Sequence, residues 1–229
     1  MIIQHLSHSG FLVEDKSTLL IFDAISDLPT DKEYKNIYCF ASHSHKDHFN
    51  PQVIKHFYGN ENAKFIFSKD ISSNLPDNNK ILFLDNYEKS ILDDVKINAY
   101  GSTDLGNSYL VSLNGKSYFH SGDLNWWHWQ DKMNNDKLKI EESSFKKEVE
   151  LLKDESIDFA FIPVDPRLKE HAYLAINYFI TVVKPKYVIP MHSFGDYNFY
   201  KGLEYNISLI DSALILVDKE NKIIFNDSV

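Results

Sequence analysis

The sequence predicts an α/β protein in which β-sheets are covered by helices. Two patterns carry this prediction. Short apolar runs, rich in β-branched and aromatic residues and separated by polar turns, recur through the first half of the chain. The later part alternates strand-like runs with apolar residues at helical spacing. The 229 residues, 43% of them hydrophobic, are enough to bury a core, and we expect one domain over residues 1–229.

The first half is expected to consist of strands with one short helix. That helix begins at Pro51, because Asn50 is a good N-cap and proline is favoured at the first helical position, and it ends near Phe57. Asn114 and Gly115 both tolerate a positive φ, so they predict a hairpin turn between the last two strands. The predicted strands are residues 2–6, 10–13, 18–24, 36–41, 64–68, 80–84, 95–100, 108–113 and 116–120.

After residue 120 the pattern changes to alternating helices and strands. Phe145, Val149 and Leu152 fall on one face of a predicted helix. The later predicted elements are a strand over 157–164, a helix over 170–183, a strand over 186–190, and a closing hairpin made of 213–217 and 222–225.

Charge and composition exclude several classes of function. The net charge of −9 disfavours nonspecific nucleic-acid binding, which needs clustered lysine and arginine. The single cysteine, Cys39, permits no intrachain disulfide and is expected to be buried in a strand. No apolar run has the length of a membrane span, and the first residues lack the basic segment of a signal peptide. We therefore expect a cytoplasmic protein that acts on a small molecule, without nucleic-acid or membrane partners.

Residues 43–48 form the pattern His-x-His-x-Asp-His directly after a predicted buried strand. Residues two apart in extended backbone point to the same side, so His43 and His45 can converge on one metal ion. The chain then turns toward the predicted helix, which directs Asp47 and His48 elsewhere and suits a second ion about 3.5–4 Å away. The mixture of imidazole and carboxylate favours one or two zinc ions, with manganese or iron as alternatives.

This motif resembles the metal-binding signature of the metallo-β-lactamase superfamily. Three more residues agree with the resemblance in their order and in their position after predicted strands. Asp23 resembles the aspartate that supports the metal-binding loop, Asp123 the carboxylate that bridges two metals, and His192 the late histidine ligand. The resemblance implies a four-layer αββα sandwich with the site at one edge, between the two sheets.

The resemblance also implies two metal sites. Members of the superfamily carry a histidine near residue 102 that completes the first site, but this chain has Ser102 there. A hydroxyl is a weaker zinc ligand than imidazole, so the first ion binds weakly, is absent, or recruits Asp104 or a distant histidine. Asp104 is a candidate ligand or general base, but the Asp104-x-Gly sequence is typical of a turn, which we favour slightly. The implied ligands are His43, His45 and Asp123 for the first site, and Asp47, His48, Asp123 and His192 for the second.

Residues 6–13 narrow the resemblance to one branch. They are similar to the Gly-His-Ser/Ala stretch of lactonase-like and phospholipase-D-like members, with Ser7 in place of the glycine, and residues 157–192 resemble the same branch. The resemblance implies a lactone or a phosphoester as substrate. His8 then either lies beside the substrate, or supports a metal ligand, or caps the first strand.

Two segments near Asp123 leave alternatives open. His120 either assists catalysis, directly or by a hydrogen bond beneath the metals, or is a buried residue at the end of a strand. The tryptophans Trp126, Trp127 and Trp129 either wall a substrate pocket or pack in the core, and we expect core packing.

These observations indicate a metal-dependent hydrolase. Bound Zn²⁺ lowers the pKa of water from 15.7 toward roughly 7, which makes hydroxide available at neutral pH. Asp47 is expected to orient that hydroxide, and His8 or His120 to help protonate the leaving group. The alternatives are a superfamily nuclease, which the net charge disfavours, and a non-catalytic metal- or ligand-binding protein, which the absence of a histidine at 102 favours.

Overall fold

Two β-sheets stacked face to face form the centre of the computed structural model, which describes residues 1–26, 28, 32–57, 59–75, 80–209 and 211–227. The strands in these ranges are Ile2–His5 (β1), Phe11–Asp15 (β2), Thr18–Phe22 (β3), Asn36–Ala41 (β4), Ala63–Ser68 (β5), Ile81–Leu84 (β6), Lys89–Leu92 (β7), Val95–Tyr100 (β8), Ser108–Leu113 (β9), Lys116–His120 (β10), Phe159–Pro163 (β11), Tyr187–Met191 (β12), Ala213–Leu214 (β13) and Lys222–Asn226 (β14). The α-helices are Pro51–Phe57 (α1), Asn135–Glu150 (α2) and Leu174–Val183 (α3). Short 3₁₀ helices span Lys69–Asn74, Pro166–Tyr173, Tyr197–Tyr200 and Leu203–Tyr205.

The two sheets repeat one topology. Their strand orders are β14-β1-β2-β3-β4-β5-β6 and β13-β12-β11-β10-β9-β8-β7. The neighbours from β3 to β6 are parallel, as are those from β10 to β13. The remaining neighbours are antiparallel.

Side chains along the strands of the first sheet point alternately to its two faces, and both faces are buried. In β3, Leu20 and Phe22 belong to the cluster between the sheets, whereas Leu19 and Ile21 pack in a second cluster with α1. This is the period of two expected for a strand, and it explains why β3 is apolar at every position. Helix α1 therefore covers the outer face of the first sheet.

Helices α2 and α3 cover the outer face of the second sheet. Phe119 of β10 stacks on Phe179 of α3 with ring centroids 5.2 Å apart, and Phe145 of α2 lies in the same core. On the inner face, Phe161 of β11 packs on Phe11 of β2 at 4.3 Å and joins the two sheets. The layers are thus α, β, β and α, which confirms the predicted four-layer sandwich.

Most predicted elements are present within a residue or two of their expected bounds. The Asn114–Gly115 turn has positive φ at both residues, at 52° and 78°, and joins antiparallel β9 and β10 as expected. Strand β7 was not anticipated. The predicted helix over 170–183 begins only at Leu174, because Lys169 adopts a positive φ of 57° and the residues around it form a 3₁₀ segment.

The closing hairpin prediction is wrong. Residues Ala213–Leu214 pair in parallel with β12 in the second sheet, whereas Lys222–Asn226 pair antiparallel with β1 in the first. The chain crosses between the sheets here. The sequence pattern predicts two short strands close together in the chain, and it is the same whether they pair with each other or join different sheets.

Strand direction places one set of loops at a single edge of the sandwich. Strands β1, β3 and β4 of the first sheet run in one direction, since β1 and β3 are both antiparallel to β2, and β3 is parallel to β4. The same pairing logic gives β8, β10, β11 and β12 a common direction in the second sheet. The carboxyl ends of parallel strands are where α/β proteins commonly place their ligand sites.

Among the described helices, none combines the length and the apolar character needed to cross a membrane.

Candidate metal centre

Side chains that follow β1, β4 and β12 form the first cluster of potential metal ligands. His8, Asp47, His48 and His192 each offer one donor atom, and the four atoms lie within 4.8 Å of one another. The Nε2 of His8 is 3.6 Å from Oδ2 of Asp47. The three histidines are buried, whereas Asp47 is partly exposed.

A second cluster contains His43, His45, Asp104 and Asp123, again with donor atoms within 4.8 Å of one another. The Nε2 of His43 lies 3.0 Å from Nδ1 of His45, which in turn lies 3.6 Å from Oδ2 of Asp104. His43 and Asp123 are buried, and His45 and Asp104 are exposed. Asp104, the predicted alternative to a histidine at position 102, therefore lies beside His45.

Asp123 lies between the two clusters. Its Oδ1 is 3.2 Å from the Nε2 atoms of both His48 and His192, and its Oδ2 is 3.6 Å from Nε2 of His43. One carboxylate oxygen faces each cluster, which is the arrangement that a bridging ligand requires.

The donor set fits divalent metal ions. In a tetrahedral site with zinc–ligand bonds of about 2.0–2.1 Å, neighbouring donors are about 3.3 Å apart. The donor pairs that face each other here are 3.0–3.6 Å apart. The Nε2 atoms of His8, His48 and His192 and the Oδ1 of Asp123 are buried without a hydrogen-bond partner among the described residues. Burying these polar atoms together without partners costs free energy, and a bound cation would remove that cost.

Asp23 supports the loop that carries the motif. It follows β3, its Oδ1 accepts a hydrogen bond from the backbone N–H of Ser42 at 2.7 Å, and its Oδ2 accepts one from the Ser42 hydroxyl at 2.6 Å. Oδ2 also accepts from Nδ1 of His48 at 2.7 Å, which leaves Nε2 to face Asp123. Burial raises the pKa of Asp23, but His120, His48 and Ser42 together lower it to about 2.

Two residues that sequence analysis missed support His192. Asp165, fully buried after β11, places Oδ2 3.2 Å from Nδ1 of His192. Arg167 donates from Nε to both oxygens of Asp165 at 2.9 Å. Burial raises the pKa of Asp165, while His192 and Arg167 lower it to about 2. Metal-binding histidines commonly use the second ring nitrogen in this way. The available signal was an aspartate soon after a predicted strand, as for Asp23 and Asp123.

The pKa values of two histidines in the first cluster move in opposite directions. Burial lowers the pKa of His8, the positive charges of His192 and His48 lower it further, and the result is about 3. Burial also lowers the pKa of His48, but Asp123 and Asp23 outweigh it and raise that pKa to about 10. His8 is therefore a neutral imidazole at pH 7, whereas a metal must displace a proton from His48.

His120 lies beneath the site, outside the cavity. It is fully buried, its Nε2 donates to the carbonyl of Ser9 at 2.8 Å, and its Nδ1 accepts from the backbone N–H of Gly122 at 3.2 Å. Its ring stacks on Phe22 at 5.3 Å. Both nitrogens are engaged by the backbone, so the placement favours a supporting role beneath the metals over direct proton transfer to a substrate.

The hydroxyl of Ser102 takes part in a turn. It accepts a hydrogen bond from the backbone N–H of Asp104 at 3.2 Å. Thr103 donates from Oγ1 to the carbonyl of Asn125 at 2.6 Å, which ties this turn to the loop after Asp123. The turn interpretation of Asp104 and its placement in a ligand cluster are thus compatible.

A cavity of about 350 Å³ opens over both clusters. Trp127 and Trp129 line it, with parallel rings whose centroids are 5.9 Å apart. Both alternatives hold for these two residues, because Trp127 is buried in the core, Trp129 packs against it, and both also line the cavity. Trp126 does pack against the helices, on Phe145 and Tyr178. The remaining lining residues are His45, Asp47, Thr103, Asp104, Asp123, Met133, Glu141, Arg167 and His192.

Three residues of the site have strained backbones. The φ angles of His8, Asp23 and His192 are 49°, 41° and 70°. Non-glycine residues rarely adopt this left-handed region, at a cost of about 1–2 kcal/mol each. Such strain persists where the surrounding structure requires it, commonly at functional sites.

One curated relative resembles most of the chain. It is a UPF0173 metal-dependent hydrolase of Nanoarchaeum equitans, 26% identical over 210 residues, covering 84% of this chain and 83% of the relative. No protein-family model matches the chain.

Solved structures share the fold. Igni18, a metallo hydrolase of Ignicoccus hospitalis, has a TM-score of 0.67 at 17% identity and covers 97% of both chains. YhfI of Bacillus subtilis, a metallo-β-lactamase fold protein, has a TM-score of 0.61 at 12% identity and covers 97% of this chain and 96% of its own. CmlA of Streptomyces venezuelae, a diiron β-hydroxylase, has a TM-score of 0.53 at 10% identity and covers 83% of this chain and 44% of its own.

The architecture and these likenesses define a protein of the metallo-β-lactamase fold with a candidate two-cluster metal centre. This fold agrees with the resemblance to the metallo-β-lactamase superfamily seen in residues 43–48, Asp123 and His192.

Proposed function

We propose that the protein is a hydrolase with two divalent metal ions, preferably zinc, acting on a small ester-type substrate, a lactone or a phosphoester. The observation that carries the proposal is the pair of ligand clusters joined by Asp123 beneath one open cavity. The names of the N. equitans relative and of Igni18 support hydrolysis as the reaction.

Eight side chains would hold the metals. A pair of divalent ions supplies a water of lowered pKa and polarises the oxygen of the scissile bond. The metal-holding residues are His8, Asp47, His48 and His192 in one cluster, and His43, His45, Asp104 and Asp123 in the other.

Asp47 is the group best placed to handle a proton. Its carboxylate lines the cavity and is the partly exposed member of the first cluster, with Oδ2 3.6 Å from Nε2 of His8. A carboxylate in this position orients the attacking water and accepts its proton. His8, with its donor atom buried in the same cluster, is assigned to metal binding rather than to the leaving group.

Zinc is the preferred metal on ligand chemistry, because imidazole nitrogen with carboxylate oxygen suits it. Iron and manganese accept the same donors, and the diiron enzyme CmlA shares the fold. Metal identity therefore belongs to the proposal and to its test.

A small substrate agrees with the cavity. Its volume of about 350 Å³ lies at the lower end of typical small-molecule sites. A nuclease is disfavoured, because the described lining of the cavity holds a single arginine and no lysine, and the net charge is −9.

The test measures metal and turnover together. Protein purified without chelator or metal-affinity tag is analysed for metal per chain. It is then assayed on aryl esters, lactones, phosphomonoesters and phosphodiesters, before and after chelation and zinc, manganese or iron reconstitution. We expect two ions per chain and hydrolysis of a lactone or phosphoester that chelation abolishes.

Two variants sharpen this test. Asp47→Asn should lower kcat by about 100-fold or more, as removal of a general base does. Asp131→Asn makes the same chemical change at an exposed aspartate that does not line the metal cavity and should retain activity. Metal binding without turnover on any substrate would replace the proposal with a non-catalytic binding protein, and turnover that survives both chelation and Asp47→Asn would exclude the metal mechanism.

A further inference from the structure

The chain contains 23 lysines and one arginine, Arg167. That arginine lines the metal cavity, and among the described lining residues it is the only side chain with a permanent positive charge. The protein uses lysine for its other basic positions, so the one guanidinium is found where a substrate would bind.

The guanidinium of Arg167 is held rigidly. Nε donates to both oxygens of Asp165 at 2.9 Å, and Nη2 donates to Oδ2. The group lies 3.9 Å from the ring centroid of Phe194 and 5.4 Å from that of Trp129. The Arg167 side chain is therefore already ordered in the free protein, so a ligand that binds it loses little free energy to the side chain's conformational entropy.

One edge of this group remains free. Nη1 has no hydrogen-bond partner among the described residues, and 48% of the side chain is exposed. A planar guanidinium presented at a cavity wall is well suited to two oxygens of a carboxylate or phosphate. A lysine ammonium is a point charge and cannot offer this fork.

Two acidic side chains, Asp104 and Glu141, also line the cavity, and Asp104 lies 3.6 Å from His45. Arg167 instead pairs with Asp165, which lies beside His192. An anionic group on a substrate would be repelled by Asp104 and Glu141 and attracted by Arg167. This difference would favour one orientation of a substrate in the cavity.

We propose that Arg167 is a substrate-binding residue that recognises a carboxylate or phosphate group distinct from the scissile bond. The substrate class is therefore an anionic ester or lactone. The inference rests on the proposed function for the reaction, but the binding it requires can be measured without turnover.

The experiment titrates metal-loaded protein with inorganic phosphate and, separately, with succinate, following the fluorescence of the cavity tryptophans. The two probes distinguish the two anion types. Arg167→Gln should raise the Kd of the preferred anion at least tenfold. Arg167→Lys keeps the charge but not the planar fork and should raise it about threefold or more. Lys169→Gln is the matched control, because this lysine is exposed, pairs with Asp131 and does not line the metal cavity. We expect its Kd within twofold of wild type.

A positioning role through Asp165 and His192 predicts a different result, so metal content is measured on each variant. Loss of anion binding with full metal content supports the proposal. Loss of metal from Arg167→Gln, with anion affinity restored by excess zinc, would overturn it in favour of positioning.

Two further results decide the matter. The proposal would also be overturned if both Arg167 variants bound both anions with Kd values within twofold of wild type. It would likewise be overturned if the wild-type protein bound neither anion. If no ester, lactone or phosphoester is hydrolysed while anion binding still depends on Arg167, the proposed function fails and the anion site stands.

Discussion

The carboxylate of Asp104 lies 3.6 Å from Nδ1 of His45. This contact places an acidic group in the second cluster of potential ligands, two residues after Ser102, the position at which the sequence resemblance implies a histidine. The hydroxyl of Ser102, at that earlier position, instead fixes the turn that carries Asp104. Asp104 is therefore the candidate to replace, in this cluster, the histidine that the resemblance implies at position 102.

Removing this carboxylate should release one of the two metals. We expect Asp104→Asn to bind about one ion per chain where the wild type binds two, because the second cluster loses an anionic ligand. Elemental analysis after gel filtration measures this. Asp131→Asn, which removes an exposed aspartate paired with Lys169, serves as the control and should keep both ions. Two retained ions in Asp104→Asn would show that Asp104 is not a ligand.

Chelation should destabilise the fold. The ligands follow strands of both sheets, so bound metal ties the sheets together at one edge. Metal at 100 times its Kd stabilises the folded state by about 2.7 kcal/mol, which corresponds to about 5–10 °C in Tm for a chain of this size. Calorimetry with and without chelator measures the shift. An unchanged Tm would indicate that the purified protein carries no tightly bound metal.

Metal affinity should rise with pH. The pKa of His48 is raised to about 10 in the metal-free protein, so this residue carries a proton at pH 7 that the metal must displace. Each displaced proton increases the apparent affinity about tenfold per pH unit below that pKa. Competition with a chromophoric chelator at pH 6.5, 7.5 and 8.5 measures the slope, after correction for the chelator's own protonation. A flat profile would contradict the ion pair between His48 and Asp123.

Asp165→Asn should weaken metal binding without unfolding the protein. The change keeps the side-chain volume but removes the charge beside Nδ1 of His192. Loss of such an outer partner typically costs 10–100-fold in metal affinity. Asp158→Asn is the control, because this residue precedes the same strand at its opposite end and contacts Ser117. Equal metal affinities in the two variants would rule out support of His192 by Asp165.

Gly106→Ala should destabilise the protein by about 2 kcal/mol or more. The φ of Gly106 is 72°, and a Cβ there would collide with the carbonyl of Ser42 and lie 2.6 Å from Cβ of His43. Urea unfolding measures the change in the free energy of unfolding. Gly59→Ala is the control, since a Cβ at Gly59 meets no described atom within 4 Å and is expected to be nearly neutral. A neutral Gly106→Ala would mean that the motif loop moves freely.

The positions of the candidate ligands at strand ends can be predicted from the sequence for two reasons. The motif at residues 43–48 has its own spacing, and Asp23, Asp123 and His192 each follow an apolar strand, so all of them come to the same edge. His43, His45, Asp47 and His48 lie together as the pattern predicts, although their role as ligands remains a prediction.

The remaining parts of the site depend on contacts between distant segments. The local pattern at Trp127 does not decide between core packing and a cavity wall, since both require an apolar aromatic side chain. Asp165 gains its role only from the pairing of β11 with β12, which brings it to His192. Arg167 had one signal in the composition, as the single arginine of a lysine-rich chain.

The left-handed backbones of His8, Asp23 and His192 have a consequence for engineering. Glycine adopts this conformation without steric cost, but it raises the entropy of the unfolded chain and deletes the side chain. At Asp23 the deleted carboxylate accepts hydrogen bonds from Ser42 and His48, so glycine there should lower the stability of the fold. Stability and site geometry therefore depend on the same side chains, and a thermostability library for this protein should leave these three positions unchanged.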